Sequence, residues 1–380
     1  MRKEEKKILL QTKKTNVETD MRLVCQFIER VLHYVAYSKR TRFNINDFKK
    51  NFMGQGVDWF IRYKAVRGGL SNLFKLKQED RKALHLAFQG DIKFFTYLER
   101  LNYKLKFPDL PNCVKKVAKP FFEALYDDIL GGSTGFRMNG LSVPQLRRVH
   151  VRKGYFEANK KTNGYFNPVC PACLGEIAVT EKDGYADLDH YLTKSIYPTL
   201  SISPDNLIPL CKTCNENIKG AQDPLKNYPK KGGLLNIFFP YHRPGIDSIT
   251  VEINQRDPDE KFMVVTVKGK ESESIRVENF EALFQLNERW SGKINSSLYE
   301  TVRAHIISEF IDGEELLTET SVRKKLNKMY TAEMRIRSTV PDSYLLAQYI
   351  NILTVSSDKF VGFYKDITET IELELKEGCL

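Results

Sequence analysis

The chain has 380 residues, 42% of them hydrophobic and 28% charged, a length and balance that suit two or three domains with real cores and exclude intrinsic disorder. Lys and Arg total 59 against 48 acidic residues, for a formal net charge of +11, and such an excess favours a polyanionic partner because each phosphate contact releases condensed counterions. Arg2, Lys3, Lys6, Lys7, Lys13 and Lys14 surround an apolar run of only Ile8, Leu9 and Leu10, too short for a signal-peptide core, and no apolar stretch approaches a membrane span. No membrane association is expected, and a cytoplasmic location is, where Cys25, Cys113 and Cys379 would stay reduced.

In chain order, Thr15 to Glu18 has the spacing of a capping box. Val24, Phe27, Ile28, Val31, Leu32 and Val35 follow at helical spacing, predicting an amphipathic helix to about Arg40 with His33 in a packing or surface role. Residues 44–63 read as helical around Phe48, Phe52, Trp59 and Phe60, with Gly54 and Gly56 as a possible split. Gly68-Gly69 is expected to break the chain. Helical spacing resumes over 78–101 and again over 114–130, with Pro108 and Pro111 punctuating the loop between and Pro120 inside the second helix. No motif with chemistry occurs in these first 130 residues. Gly131-Gly132-Ser133-Thr134-Gly135 marks a boundary.

From Leu146 to Tyr165 there are six Lys and Arg residues and one acidic residue, Glu157. This basic arm is the candidate for phosphate contact, through Arg147, Arg148, Arg152 and Lys153, because basic clusters bind the backbone without reading sequence. His150 lies inside it with no specific role expected.

Next come Cys170-Pro-Ala-Cys173 and Cys211-Lys-Thr-Cys214, two C-x2-C pairs bracketing 37 residues. Each pair forms a tight knuckle with both sulfurs on one side, so four thiolates are expected to hold one tetrahedral Zn²⁺. Between them runs Asp187-Leu-Asp189-His190-Tyr-Leu-Thr-Lys194-Ser195, then Pro204-Asp205-Asn206-Leu207-Ile208-Pro209, and Asn215 directly follows the last cysteine. Alternation predicts a strand over 185–190, and a helix beginning near Cys211 carries Asn215 and Lys219. A knuckle that only holds a fold has no need of an Asp-His pair inside it.

Asp189-His190, the central Asn206 in a Pro-x-Asn-Leu-x-Pro context and the Cys-x2-Cys-Asn ending at Asn215 resemble the HNH endonucleases, in particular their bacterial branch. Thr193 stands where that branch usually has proline, and Lys219 lies four residues past Asn215 where a lysine is common at three. The resemblance covers about 50 to 70 residues and implies a ββα-metal finger. It further implies that His190 is the general base and that Asn206 orients it across the loop. Asp189 and Asn215 would hold one Mg²⁺ or Mn²⁺ through hard oxygen atoms, with Asp187 as an outer partner. Lys194 and Lys219 join the arm as candidate nucleic-acid contacts. The implied reaction is metal-dependent hydrolysis of DNA phosphodiester bonds, by nicking or double-strand cleavage.

Past the finger, Lys226 to Lys231 and Gly232-Gly233 form an exit and hinge, and His242 is a further site candidate. Residues 248–255 and 261–267 alternate as a hairpin around Arg256-Asp-Pro-Asp-Glu. Residues 277–290, 298–312, 320–337 and 343–353 read as helices, and an acidic strand or helix follows Asp366. The expected fold class is α+β: mostly helical flanks around a central zinc-stabilised finger, with a short β-hairpin after it. The expected domains are 1–135 (helical), 136–165 (basic arm), 166–232 (finger) and 233–380 (hairpin and helices). The helical flanks suggest a regulatory protein partner or a homo-oligomer, and their size beside such a finger suggests bacterial restriction or phage defence. The competing expectations are a non-catalytic zinc-knuckle module that binds nucleic acid or a partner, and a nuclease that cuts RNA.

Overall fold

A computed structural model describes residues 13–53, 57–100, 103–133, 135–159, 169–177, 187–226, 229–245, 248–255, 262–311, 315–337 and 339–377, the side chains of Asp187 and of 374–377 excepted. The expectations that touch Gly54, Gly56, Lys160, Lys161, Tyr185, the hairpin turn at 256–260 and Cys379 lie outside the described residues. The class is mixed α+β, dominated by helices with two small antiparallel hairpins. The chain divides into two compact units, one from Thr12–Asn167 with Ile177–Pro244, the other from Gly245–Leu380 with Pro168–Glu176.

In the first unit, α1 spans Glu18–Tyr37 and buries Val24, Phe27, Ile28, Val31, Leu32 and Val35, the face that its spacing predicts. The capping box is not formed. The Thr15 hydroxyl donates instead to the carbonyl of Val151, 3.0 Å away, and Glu18 pairs with Lys14 and Arg22. Next come α2 (Ile45–Asn51), capped by the Asn44 side chain, and α3 (Asp58–Arg62). Contrary to expectation, Gly68-Gly69 does not break the chain: α4 (Lys64–Leu73) runs through both. A Cβ on Gly69 would lie 2.9 Å from the Phe121 Cβ, so this glycine lets α4 approach α6 (Asn112–Ala124) closely. Helix α5 (Gln78–Asp91) packs on α1. Past Pro120 and the end of α6, the helix widens into a π turn over Leu125–Leu130. The basic arm begins α7 (Arg148–Ala158).

The same core receives β1 (Asp187–His190), which pairs antiparallel with β2 (Leu207–Leu210), with His190 opposite Leu207 and Asp189 opposite Ile208. Leu188, Ile202 and Leu207 pack in one cluster with the residues of α1 to α6. The strand that ends in His190 is therefore seated on the N-terminal helices by burial of its apolar neighbours.

The second unit holds β3 (Ile249–Gln255) and β4 (Met263–Gly269), the expected hairpin. The single helix expected over 277–290 is two, α8 (Ser274–Phe284) and α9 (Leu286–Lys293), split by a left-handed Gln285; the three other expected helices follow as α10 (Tyr299–Ile311), α11 (Glu319–Ile336) and α12 (Ser343–Val355). The acidic end is a helix, α13 (Ser357–Glu377). The backbone N–H groups of Met263, Val265 and Val267 donate to the side chains of Asn295, Ser291 and Asn287. Alternate strand residues and every fourth helix residue advance by nearly the same ~6–7 Å, so the helix side chains satisfy the outer edge of β4 one for one.

Candidate functional site

His190 closes β1, and its position is set from both sides of the loop that follows. Asn206, fully buried, accepts the Leu192 N–H at 2.7 Å through Oδ1 and donates from Nδ2 to the Leu192 and Leu200 carbonyls at 2.9 and 3.3 Å. Its own carbonyl takes the Tyr191 N–H at 2.9 Å. One amide thus ties both ends of the Tyr191–Ser201 loop to the start of β2. That loop places the Ser201 carbonyl 2.9 Å from His190 Nε2. A carbonyl can only accept, so Nε2 carries the hydrogen and the neutral ring keeps its lone pair on Nδ1. Burial above all pushes the His190 pKa down, to about 3; the hydrogen bond to Ser201 opposes, and the charges of Lys194, Lys219 and Arg148 add to the lowering. Burial thus favours the neutral imidazole, the form in which Nδ1 can accept a proton. Asn206 acts on it through the loop, not by touching the ring.

Asp189, on the same strand, is buried with the ammonium of Lys219 at 3.0 Å from Oδ2; the same ammonium donates to the His190 carbonyl at 3.0 Å. Lys219 ends the short π-turn helix Thr213–Lys219, and its side chain is fully buried. It therefore meets Asp189 and strand β1 from within the protein, away from a solvent-facing position. Asn215 lies one turn earlier on that helix, half-buried. Asp187 pairs with Leu210 through its backbone.

The face of His190 is covered by a residue with no signature in the sequence. The Tyr126 ring packs edge-on at 4.2 Å between centroids, and its hydroxyl donates to the Leu188 carbonyl at 2.9 Å. Arg148 and Lys194 lie over the Tyr126 ring, 4.1 and 5.1 Å from its centroid. Asp127 pairs with both, at 2.7 Å from the Lys194 ammonium and 3.8 Å from Arg148. Two of the basic candidates thus converge beside His190. Arg147 donates to the Ser133 carbonyl at 3.4 Å, Arg152 is half-buried on α7 and Lys153 is exposed. His150 Nδ1 accepts the Arg147 N–H and so caps α7. His242 sits in another constellation, with Nε2 2.6 Å from Asp205 and its ring stacked on Phe95. Lys14 and Arg22, part-exposed like His242, complete that ion cluster around the buried Asp205, the residue next to Asn206.

The sulfur atoms of Cys170, Cys173, Cys211 and Cys214 all lie within 4.8 Å of one another. In the first knuckle the Leu174 N–H bonds back to the Cys170 carbonyl and Leu174 takes a left-handed φ of 59°. In the second, the Cys214 N–H points at Cys211 Sγ, 3.5 Å away. Sulfurs around tetrahedral zinc stand about 3.8 Å apart, so this donor set fits that ion with a small contraction. Four soft thiols with no hard oxygen among them select zinc over magnesium.

Against known proteins, no family model matches the chain and no solved structure does. It is similar to Protein ea31 of Escherichia phage lambda, at 33% identity over 91 residues. That match covers 21% of this chain and spans 29% of the length of the phage protein.

Tyr126, Asp127 and Ser201 are the site residues that the sequence does not point to. Tyr126 and Asp127 lie more than sixty positions before His190 in an ordinary helical pattern, and Ser201 acts through its backbone.

Proposed function

We propose that the chain is a metal-dependent endonuclease of the HNH type, hydrolysing DNA phosphodiester bonds from the His190 site. The observation that carries this is the 2.9 Å approach of His190 Nε2 to the Ser201 carbonyl, which engages Nε2 and leaves Nδ1 as the base, on the strand residue next to a buried carboxylate. Nδ1 would take the proton of a water attacking the phosphorus, and the carbonyl of Ser201 would stabilise the imidazolium that forms. Asn206 fixes the loop that carries Ser201. Asp189 and Asn215 would hold a Mg²⁺ or Mn²⁺ ion, which when bound supplies a Lewis acid at the leaving oxygen. Lys219 pairs with Asp189 and supplies positive charge inside the protein. Arg148 and Lys194 supply it at the rim, and Arg147, Arg152 and Lys153 continue that charge along α7. The four cysteines would carry a structural zinc, and restriction or phage defence is the setting proposed. RNA is the alternative substrate, because a rim of cations would contact phosphate and carries no sequence information.

Supercoiled plasmid incubated with purified protein tests this, with and without Mg²⁺ or Mn²⁺ and beside His190→Ala. The expected result is nicked or linear product that requires the metal and falls by at least about a hundredfold in the variant, the range of a lost general base. Equal cutting by the variant would remove His190 from the mechanism. No cutting of plasmid or of RNA by the zinc-loaded protein would favour a binding module.

A further inference from the structure

The Tyr126 ring carries two cations on one side of the site, and a carboxylate already lies between them. The Lys194 ammonium is 2.7 Å from both Asp127 oxygens and Arg148 approaches one of them at 3.8 Å. The Asp127 side chain is 48% exposed, against 31% for Lys194 and 33% for Arg148, so the anion is the outermost of the three. Ion pairs this exposed contribute little to stability, and an incoming anion can exchange into them at small cost. The same two cations act electrostatically on His190, whose ring touches Tyr126.

We propose that Arg148 and Lys194, seated on Tyr126, form a notch for a backbone phosphate of the nucleic acid, and that Asp127 occupies this notch in the resting protein. The ligand class rests on the nuclease assignment above; the notch itself rests on the geometry. Asp127 is then a built-in competitor. It holds the two side chains in the positions a phosphodiester needs, and it must be displaced before the strand reaches His190. Removing its charge should strengthen DNA binding specifically through Lys194, beyond the gain from removing any one acidic charge nearby.

Asp128, the next residue on the same turn and exposed, provides the control for charge alone. The experiment uses full-length zinc-loaded protein with Ca²⁺ in place of Mg²⁺ and a fluorescein-labelled DNA duplex, read by anisotropy at several salt concentrations. Asp127→Asn should tighten binding about threefold to fivefold and Asp128→Asn less than about 1.5-fold, from the range of a competing exposed ion pair. In a Lys194→Gln background the gain from Asp127→Asn should vanish. Equal tightening by the two asparagine variants would reduce the effect to net charge and overturn the notch. Weaker binding by Asp127→Asn, or no binding by any variant, would overturn it as well. Inorganic phosphate, titrated as competitor, separates the two sources of the same chemistry. Displacement of the duplex from Asp127→Asn at low millimolar phosphate would indicate a free-anion site and overturn the phosphodiester assignment. The plasmid assay reports independently on catalysis. If plasmid stays uncut while the Lys194-dependent gain is seen, the nuclease assignment falls and the notch stands. Cutting that needs His190 but ignores Asp127, with no gain in binding, gives the reverse.

Discussion

Burial of His190 favours its neutral form, and that has a thermodynamic consequence that can be measured without any substrate. Its pKa is lowered from the ordinary 6.5 to about 3 in the folded protein. The unfolded chain thus binds a proton at a pH where the folded one does not. A group with a depressed folded pKa contributes stability that is present above its unfolded value and lost as pH falls. Between about pH 6.5 and pH 3 the protein should therefore lose on the order of several kcal/mol through this one ring. Urea unfolding of the parent and of His190→Asn across that window checks it: the variant's stability should fall less steeply, and parallel curves would show that the ring is not held neutral by burial. Asn206 shows the same logic without charge, since three side-chain hydrogen bonds close the loop that presents Ser201.

At the scale of elements, two neighbouring glycines in α4 do opposite work. A side chain on Gly69 would strike the Phe121 Cβ at 2.9 Å, whereas nothing lies within 4 Å of a Cβ on Gly68. Gly69→Ala should destabilise by about 1–3 kcal/mol through overpacking. Gly68→Ala should stabilise by up to about 1 kcal/mol, the helix-propensity difference. Thermal unfolding of the two single variants distinguishes them, and a shift of the same sign in both would refute the packing account. A Gly-Gly pair reads as a chain break when propensity is all that is known. The helix persists here because contact with α6 outweighs the ~1 kcal/mol propensity cost of each glycine. The Thr15 capping box failed for a related reason: the hydroxyl found a buried carbonyl on α7, a partner 136 positions away.

At the scale of the whole molecule, the four thiols are the feature that a metal would bind. Purified protein should contain about one zinc per chain, and Cys214→Ser should lose it with a fall in the unfolding midpoint of roughly 5–10 °C, the shift that a few kcal/mol produces in a chain of this size. Metal analysis and calorimetry would settle it; a variant as stable as its parent with no metal in either would remove zinc from the fold. The buried Asp205 cluster with Lys14, Arg22 and His242 is a second anchor. It ties α1 to the loop that ends in Asn206.

What was legible in the residues alone was local. C-x2-C spacing brings two sulfurs together in a single turn, so the metal cluster could be foreseen from two such pairs. The period of α1 gave its buried face, and alternation gave the β3–β4 hairpin, because side-chain direction follows from backbone period. The Asp189-His190 dipeptide and Asn206 were visible as a constellation. Their positions relative to Ser201 and Lys219 depended on how the loop closes. Tyr126, Asp127 and the placing of Arg148 beside His190 were decided by tertiary structure alone. Leu188, Ile202 and Leu207 bury themselves among α1 to α6, and that packing carries the strand to the end of a helix far away in sequence. Local pattern determines which face of an element is apolar, whereas only the packing of those faces determines which polar residues meet at their edges.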